Sequence, residues 1–469
     1  MLRQNLLIAG ATLALASGSA FAQSGQTAVK QYDSGGVYEG EFKDGRQHGK
    51  GTFKLPGGYE YTGDWVDGKI EGRGVVKYPN GSVYEGQFAD GAPHGLGKIT
   101  YSDGGSYEGA WVNGVIEGRG IATYANGAQY EGEFRQSAHH GQGVMTRPNG
   151  YRLDGQWRDG AAHGQGSVRY SNGSVYTGSF VNGVRQGYGE IRLEDGFNYA
   201  GDWADGQISG NGQATYANGD SYKGEFLNGE RQGSGVARYA NGDVYDGAFK
   251  SGRREGLGRL VAANGDVYDG TWIEGRFEGT GVAQLADGRI LEGTFVDNTI
   301  SGQGKMTTPD GGVYVGEWAG GEIHGKGIFN YANGAVFEGD FVRGRIEGEG
   351  KIAYTDGYRY SGQWRAGRAH GKGEAHFPNG GVYIGDFVEG LREGYGKFTQ
   401  TDGFSYEGQW LDNRIEGEGS ATYVNGNVYR GTFKDNKRHG QGEMTFANGA
   451  VYSGLWVNGQ RDTGEEASE

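Results

Sequence analysis

Apolar and polar residues alternate in short runs along the whole chain, and the runs return at a fixed interval. In Tyr84-Glu85-Gly86-Gln87-Phe88 the two rings and the glycine share one face, and Glu85 and Gln87 take the other, the period of two that a strand imposes. In the strand before it, Val76 and Tyr78 share a face, opposite Val75 and Lys77. The Val76 position is always apolar (Phe53, Ile99, Ala122, Met145, Val168, Ile191), whereas the opposite face includes Thr100, Thr123, Arg169, Arg192 and Glu374. This pattern predicts an antiparallel sheet with one apolar and one wet face. No period of 3.6 marks a helix. The interval is 23 residues, and nineteen registers run from Tyr38 to Tyr452 without insertion or deletion. Repetition of that kind points to tandem units that stack.

Two connections separate the strands of each unit. Asn-Gly or Asp-Gly, as at Asn80-Gly81 and Asn126-Gly127, fills seventeen of eighteen sites between units, the exception lying at Pro56-Gly57. Both residues of such a pair tolerate positive φ, so a two-residue type I′ hairpin is expected there. The second connection, for instance from Asp67-Gly68 to Gly72-x-Gly74, is expected to be a longer loop, with Asn298, Asn413 and Asn436 replacing glycine at left-handed positions. Ser137 is the awkward substitute, and it predicts a local rearrangement beside His139 and His140.

Glycine stands between the two aromatic positions in every register, from Gly40 to Gly454. Its missing side chain is expected to leave a slot for rings of the neighbouring unit. Each unit then buries its face against its neighbours. At about 4.8 Å per strand, nineteen hairpins predict an elongated, single-layer sheet of roughly 180 Å, twisted into a ribbon or trough. All nine tryptophans (Trp65, Trp111, Trp157, Trp203, Trp272, Trp318, Trp364, Trp410 and Trp456) occupy one register position and alternate with Phe. The alternation slips once, at Phe226 and Phe249, suggesting two blocks that meet near 226–249.

Composition narrows this further. Of 469 residues 99 are glycine and only 35% are hydrophobic, too few aliphatic residues for thick helix-covered cores. With 51 Tyr and Phe residues and no glycine-every-third period, disorder and collagen are both poor fits. Residues 1–22 read as a signal peptide: Arg3, the apolar run Leu6–Ala16, and Ala20-Phe21-Ala22 before Gln23 as the cleavage site. A polar lead-in covers 23–33, the repeats 34–459, and an acidic tail 460–469. The expected location is the periplasm or the exterior, with no transmembrane helix in the mature chain. Cysteine is absent and the net charge is −14, which makes nucleic acid a poor partner.

The unit Y-x-G-x-[FW]-x-x-G-x-x-x-G-x-G closed by N-G or D-G resembles the MORN repeat (membrane occupation and recognition nexus). Tyr38-Glu39-Gly40-Glu41-Phe42 with Gly45, Gly49 and Gly51 carries the resemblance, and the other copies follow it from residue 34 to about 459. Leu153, Leu291 and Phe337 replace the leading Tyr, and the last copy lacks the second glycine pair. The resemblance implies tandem β-hairpins in a single-layer sheet, with scaffolding, dimerisation or protein interaction as the role. It also implies phosphoinositide or membrane binding in some members, and an accompanying enzyme in others. Repeats fill this chain almost end to end, leaving no room for a catalytic domain.

Candidate chemistry is sparse. Gly49-x-Gly51 lacks the helix that a phosphate-cradling loop needs. His48, His94, His140, His163, His324, His370 and His439 share one loop position, taken by Glu71, Glu117, Glu278, Glu347 and Glu416 in other units. Equivalent positions about 10 Å apart are too distant for shared metal ligation. Only His139, His140 and His163 could converge. Asn264-Gly265-Asp266 lacks the nonapeptide spacing of calcium-binding repeats. No catalytic set and no cofactor site is indicated. The tryptophan ladder is the one sharp feature, either packing between units or stacking on glycan or peptidoglycan sugars. The leading expectation is a non-enzymatic exported scaffold that binds a protein partner or itself through an aromatic-lined sheet. A glycan is the alternative partner, and membrane lipid follows from the resemblance alone.

Overall fold

The computed structural model describes residues 27–462, so the leader and its cleavage residues Ala20, Ala22 and Gln23 lie outside it, as does 463–469 of the tail. Every regular element among the described residues is a β-strand. The chain divides into two compact units, residues 1–240 and 241–469. The first runs from strand Thr27–Gln31 to strand Glu230–Arg238, and the second from Val244–Lys250 to Gln460–Arg461. Within each unit a strand pairs antiparallel with its neighbours in sequence. Each unit is therefore an open, single-layer sheet of hairpins, as the alternation predicts.

One repeat consists of a seven-residue strand such as Val37–Lys43 and a nine-residue strand such as Arg46–Lys54. The expected turn types are exchanged. The two-residue turn is Asp44-Gly45, with φ of 49° and 76°, and Lys43 pairs directly with Arg46 across it. Positive φ at both central residues is the type I′ geometry. At Asn80-Gly81 only the glycine has positive φ, at 84°. There Gly81 N–H donates to Tyr78 O and Tyr78 N–H to Ser82 O, at 2.9 and 2.8 Å, closing a longer loop with one left-handed residue. Asn80 serves through its side chain, Oδ1 accepting from Ser82 N–H at 3.0 Å, an Asx turn that local asparagine and aspartate favour. Where the exception falls, Gly58 supplies the positive φ.

Gly49 and Gly72 lie inside strands rather than in a loop, at a bulge. Gly40 pairs with Gly51 and Phe42 with Gln47, so one residue of the short strand faces three of the long one. The amide exposed by that bulge is met by the residue before the ring: Glu41 Oε1 accepts from Lys50 N–H at 3.1 Å. Asp64, Gln87 and Gln156 repeat the bond to Arg73, Leu96 and Gln165. This position turns to water yet recruits an acceptor for a structural reason.

The glycine between the rings also acts differently from expectation. Tyr38 folds back over its own Gly40 and the paired Gly51, where a Cβ would collide with the phenol. Its hydroxyl donates to Glu41 O at 2.9 Å, and Tyr61 and Tyr84 do the same with Asp64 and Gln87. The slot is filled from within the repeat. The next repeat supplies an edge-on ring, Trp65 against Tyr38 at 5.1 Å and 82°. Tyr38, Tyr61, Tyr84 and Tyr130 are wholly buried, and burial pushes the Tyr84 phenol up to about 12.

Ser137 produces no rearrangement. Gln136 and Ser137 keep the turn, with φ of 49° and 60°, and Arg135 still pairs with Ala138. Ser137 Oγ accepts from Ile116 N–H of the preceding repeat at 3.3 Å. Asn298, Asn413 and Asn436 do this better, accepting from Phe277, Arg392 and Ile415 at 2.8–2.9 Å. The replacements for glycine thus carry an oxygen that binds the neighbouring repeat.

Candidate interaction surface

The apolar face is consumed by internal packing. Eight of the nine tryptophans are buried and Trp364 is half-buried. Trp65, Trp111, Trp157, Trp203, Trp272, Trp364, Trp410 and Trp456 each donate Nε1–H to a glycine carbonyl fourteen residues earlier, at 2.9–3.2 Å. Trp318 alone lacks a partner for Nε1. It follows Leu291, so the ring that orients the others, as Tyr84 does Trp111 at 5.2 Å, is missing. These indoles are set against neighbouring rings and backbone.

Arginines on the same face were not singled out by spacing, yet they complete the packing. The Arg185 guanidinium lies 4.1 Å from the Trp203 ring centroid and donates to Gly206 O at 2.9 Å. Arg392 sits 4.3 Å from Trp410, and Arg438 sits 4.2 Å from Trp456 and donates to Gly459 O at 2.6 Å. A planar cation satisfies both the ring quadrupole and the turn carbonyl. Burial in this setting holds Arg392 below the usual guanidinium range.

Three of the seven histidines in the row act as backbone acceptors, whereas Nδ1 of His140, His370 and His439 is buried without a hydrogen-bond partner. His48 Nδ1 faces Asp67 N–H at 3.5 Å, and His94 and His163 do likewise with Asn113 and Asn182. In the glutamate copies the bond is shorter: Glu71 accepts from Asp90, Glu117 from Gln136 and Glu416 from Asp435, at 2.9–3.0 Å. The residue thus caps the positive-φ turn of the next repeat. Among the described residues no group of three His, Cys, Asp or Glu side chains could hold a metal ion. His139 takes a different place, stacked on Tyr130 at 3.8 Å and bonded to Tyr124 Oη at 2.6 Å. Burial among these rings pushes its imidazole down to about 4.

What remains open is the outer face. It mixes exposed ion pairs, such as Lys305–Glu292 and Lys351–Glu338, both at 2.8 Å, with exposed Leu96, Leu257, Val315 and Ile384. Two rings stand on it, Tyr188 and Tyr395, exposed by 59% and 55%. No helix among the described residues is long and apolar enough to cross a membrane.

The hairpin, the glycine pairs and the ring ladder together define a tandem β-repeat protein. Nineteen matches to the MORN repeat model follow one another, from residues 38–58 to 452–462, and the chain belongs to the MORN-repeat family. No curated protein sequence matches it. Among solved structures, the TCP domain of SAS-4 (dCPAP) of Drosophila melanogaster, in complex with a proline-rich motif of Ana2 (dSTIL), is 17% identical. That alignment covers 39% of this chain and 89% of that chain, with a TM-score of 0.21. The wild-type TCP10 domain of Danio rerio CPAP is 14% identical over 52% of this chain and 93% of that chain, with a TM-score of 0.16. Selenomethionine-substituted virginiamycin B lyase from Staphylococcus aureus is 12% identical over 60% and 90%, with a TM-score of 0.11. At such scores the likenesses carry no functional argument.

Proposed function

We propose that this protein is a non-enzymatic scaffold, exported from the cytoplasm, that binds a protein partner or a second copy of itself through the outer face of its sheets. The observation that carries the reading is the unequal use of the two faces. The aromatic face is buried in inter-repeat contacts, while the outer one presents exposed aliphatic and charged side chains along the described strands. Exposed aliphatic side chains set among charges offer a protein partner both apolar contact and ion pairs. The family supports a structural or interaction role. The leader Leu6–Ala16 with Ala20-Phe21-Ala22 supports export.

Light scattering combined with affinity capture from envelope extract tests this. A complex or oligomer is expected, and it should be lost when Val315→Lys and Ile384→Lys are introduced on the outer face. A strict monomer that captures nothing refutes the reading.

A further inference from the structure

The two units can be set side by side at an offset of 207 residues, nine repeats of 23. Val184-Arg185-Gln186-Gly187-Tyr188-Gly189 then matches Leu391-Arg392-Glu393-Gly394-Tyr395-Gly396, and Trp203 matches Trp410. Retention of Arg185/Arg392 and of the tryptophans has a packing cause, given above. Tyr188 and Tyr395 have none: both stand exposed on the outer face. Their row has drifted elsewhere, with Arg73 opposite Thr280, Leu96 opposite Gln303 and Asn211 opposite Glu418. Leu257, also exposed in that row, is matched by Lys50. Tyrosine occurs in the row at these two places and nowhere else.

The surroundings say what the rings have in common. Tyr395 borders an open depression of about 420 Å³, floored by the Gly385–Gly396 pair and edged by Lys372, Ile384 and Lys397. Its hydroxyl donates to Glu407 at 3.2 Å. At the matching places around Tyr188 stand Gln165, Thr177, Glu190 and, for Glu407, Ala200. Charge is absent or reversed from one site to the other. A ligand shared by both cannot be selected by charge, nor by the bond to Glu407. Two things persist: an exposed phenol ring and polar side chains beside it on the outer face.

From this we infer that Tyr188 and Tyr395 are the centres of two equivalent carbohydrate-binding sites, each stacking its ring on the apolar face of an uncharged pyranose within a polysaccharide chain. A neutral flat ring carrying hydroxyls uses both persistent features and requires none of the changed ones. The aromatic face supplies apolar contact, and the polar rim takes the hydroxyls, directly or through water. The assignment does not rest on the scaffold reading, since purified polymers report on it without a protein partner.

Co-sedimentation with insoluble chitin, cellulose and purified peptidoglycan tests the assignment, using full-length protein. The wild type is expected to sediment with at least one of the three. Tyr188→Ala or Tyr395→Ala should each weaken that binding about 2- to 10-fold, the worth of one aromatic contact. The double variant should weaken it by about 4- to 100-fold, while Tyr395→Trp keeps it. Tyr354→Ala, at an exposed tyrosine off this row, should leave it unchanged, and thermal unfolding of every variant checks the fold. Sedimentation with none of the polymers overturns the inference, as does a folded double variant that binds like the wild type. Loss of a captured protein in the double variant, without sedimentation of the wild type, overturns it in favour of a protein contact.

Discussion

Gly97 and Gly166 hold equivalent places in two repeats, and the same substitution should have very different consequences. At Gly97 a Cβ would land on the Tyr84 phenol, whose ring lies flat over that glycine. Tyr84 is wholly buried, donates to Gln87 O at 3.0 Å, and meets Phe88 and Trp111 edge-on at 5.1 and 5.2 Å. The methyl can be housed only by expelling the ring, which gives up its burial, its bond and two aromatic contacts, about 3–5 kcal/mol together. At Gly166 the leading Tyr is replaced by Leu153, and the nearest atoms to a Cβ are Asp154 O at 3.3 Å and the Phe180 ring at 3.4 Å. A few tenths of an ångström suffice there. The reduced freedom of the unfolded chain offsets the strain by about 0.4–1 kcal/mol, so Gly166→Ala should be nearly neutral. Neither glycine needs positive φ, which leaves contact as the difference. Native-state hydrogen exchange suits a repeat sheet, because openings there are local. Gly97→Ala should speed exchange of Ala92–Thr100 amides by roughly 100-fold or more, and Gly166→Ala should leave Ala161–Arg169 within about threefold. Equal effects at the two sites would refute the account of what the glycine pairs do.

Three further outcomes follow from the packing. His139 has its pKa depressed from the ordinary 6.5 to about 4, so the unfolded chain binds the extra proton as pH falls from 6.5 towards 4, and stability declines across that window by on the order of 3 kcal/mol. His139→Gln, the residue Gln47 occupies in the same register, should flatten the profile, as urea titrations at pH 7 and pH 4.5 would read. Asn436→Ala removes the bond to Ile415 N–H and leaves alanine at φ 65°, a loss of about 2 kcal/mol. Asn436→Gly should recover part of it, measured by exchange of Arg414–Thr422. Arg438→Leu should cost about 1–2 kcal/mol by losing Gly459 O and the Trp456 face, and Arg438→Lys should not restore it because lysine has no planar fork.

Strand existence, strand faces and period were legible because each rests on a local rule repeated many times. Val76, Tyr84 and Phe88 lie inward as the alternation requires. The turns were misread because Asn-Gly suits both a type I′ pair and an Asx loop. The choice between them lies in loop length, set by where pairing resumes at Val83, which no dipeptide encodes. Glu41 read as a wet-face position and His48 as a loop residue because their partners, Lys50 N–H and Asp67 N–H, are created by a bulge and by the next repeat's turn. The tryptophan ladder was visible, but a register cannot tell a buried ring from an open one. Tyr188 and Tyr395 were detectable only by comparing the halves at 207 residues.

The caps that reach from one repeat to the next, Glu71 to Asp90 and Arg438 to Gly459, span only 19 and 21 residues in a chain of 469. All-β proteins ordinarily fold slowly because distant segments must find one another before any contact rewards them. Here each new hairpin needs only the one already formed. Its turn amide meets a waiting acceptor, and its ring meets a seated tyrosine. Assembly therefore becomes a templated zippering, and a chain emerging from synthesis can fold from its leading end as fast as residues arrive. The hazard moves to the growing tip, whose unpaired strand edge stays exposed until the next 23 residues cover it.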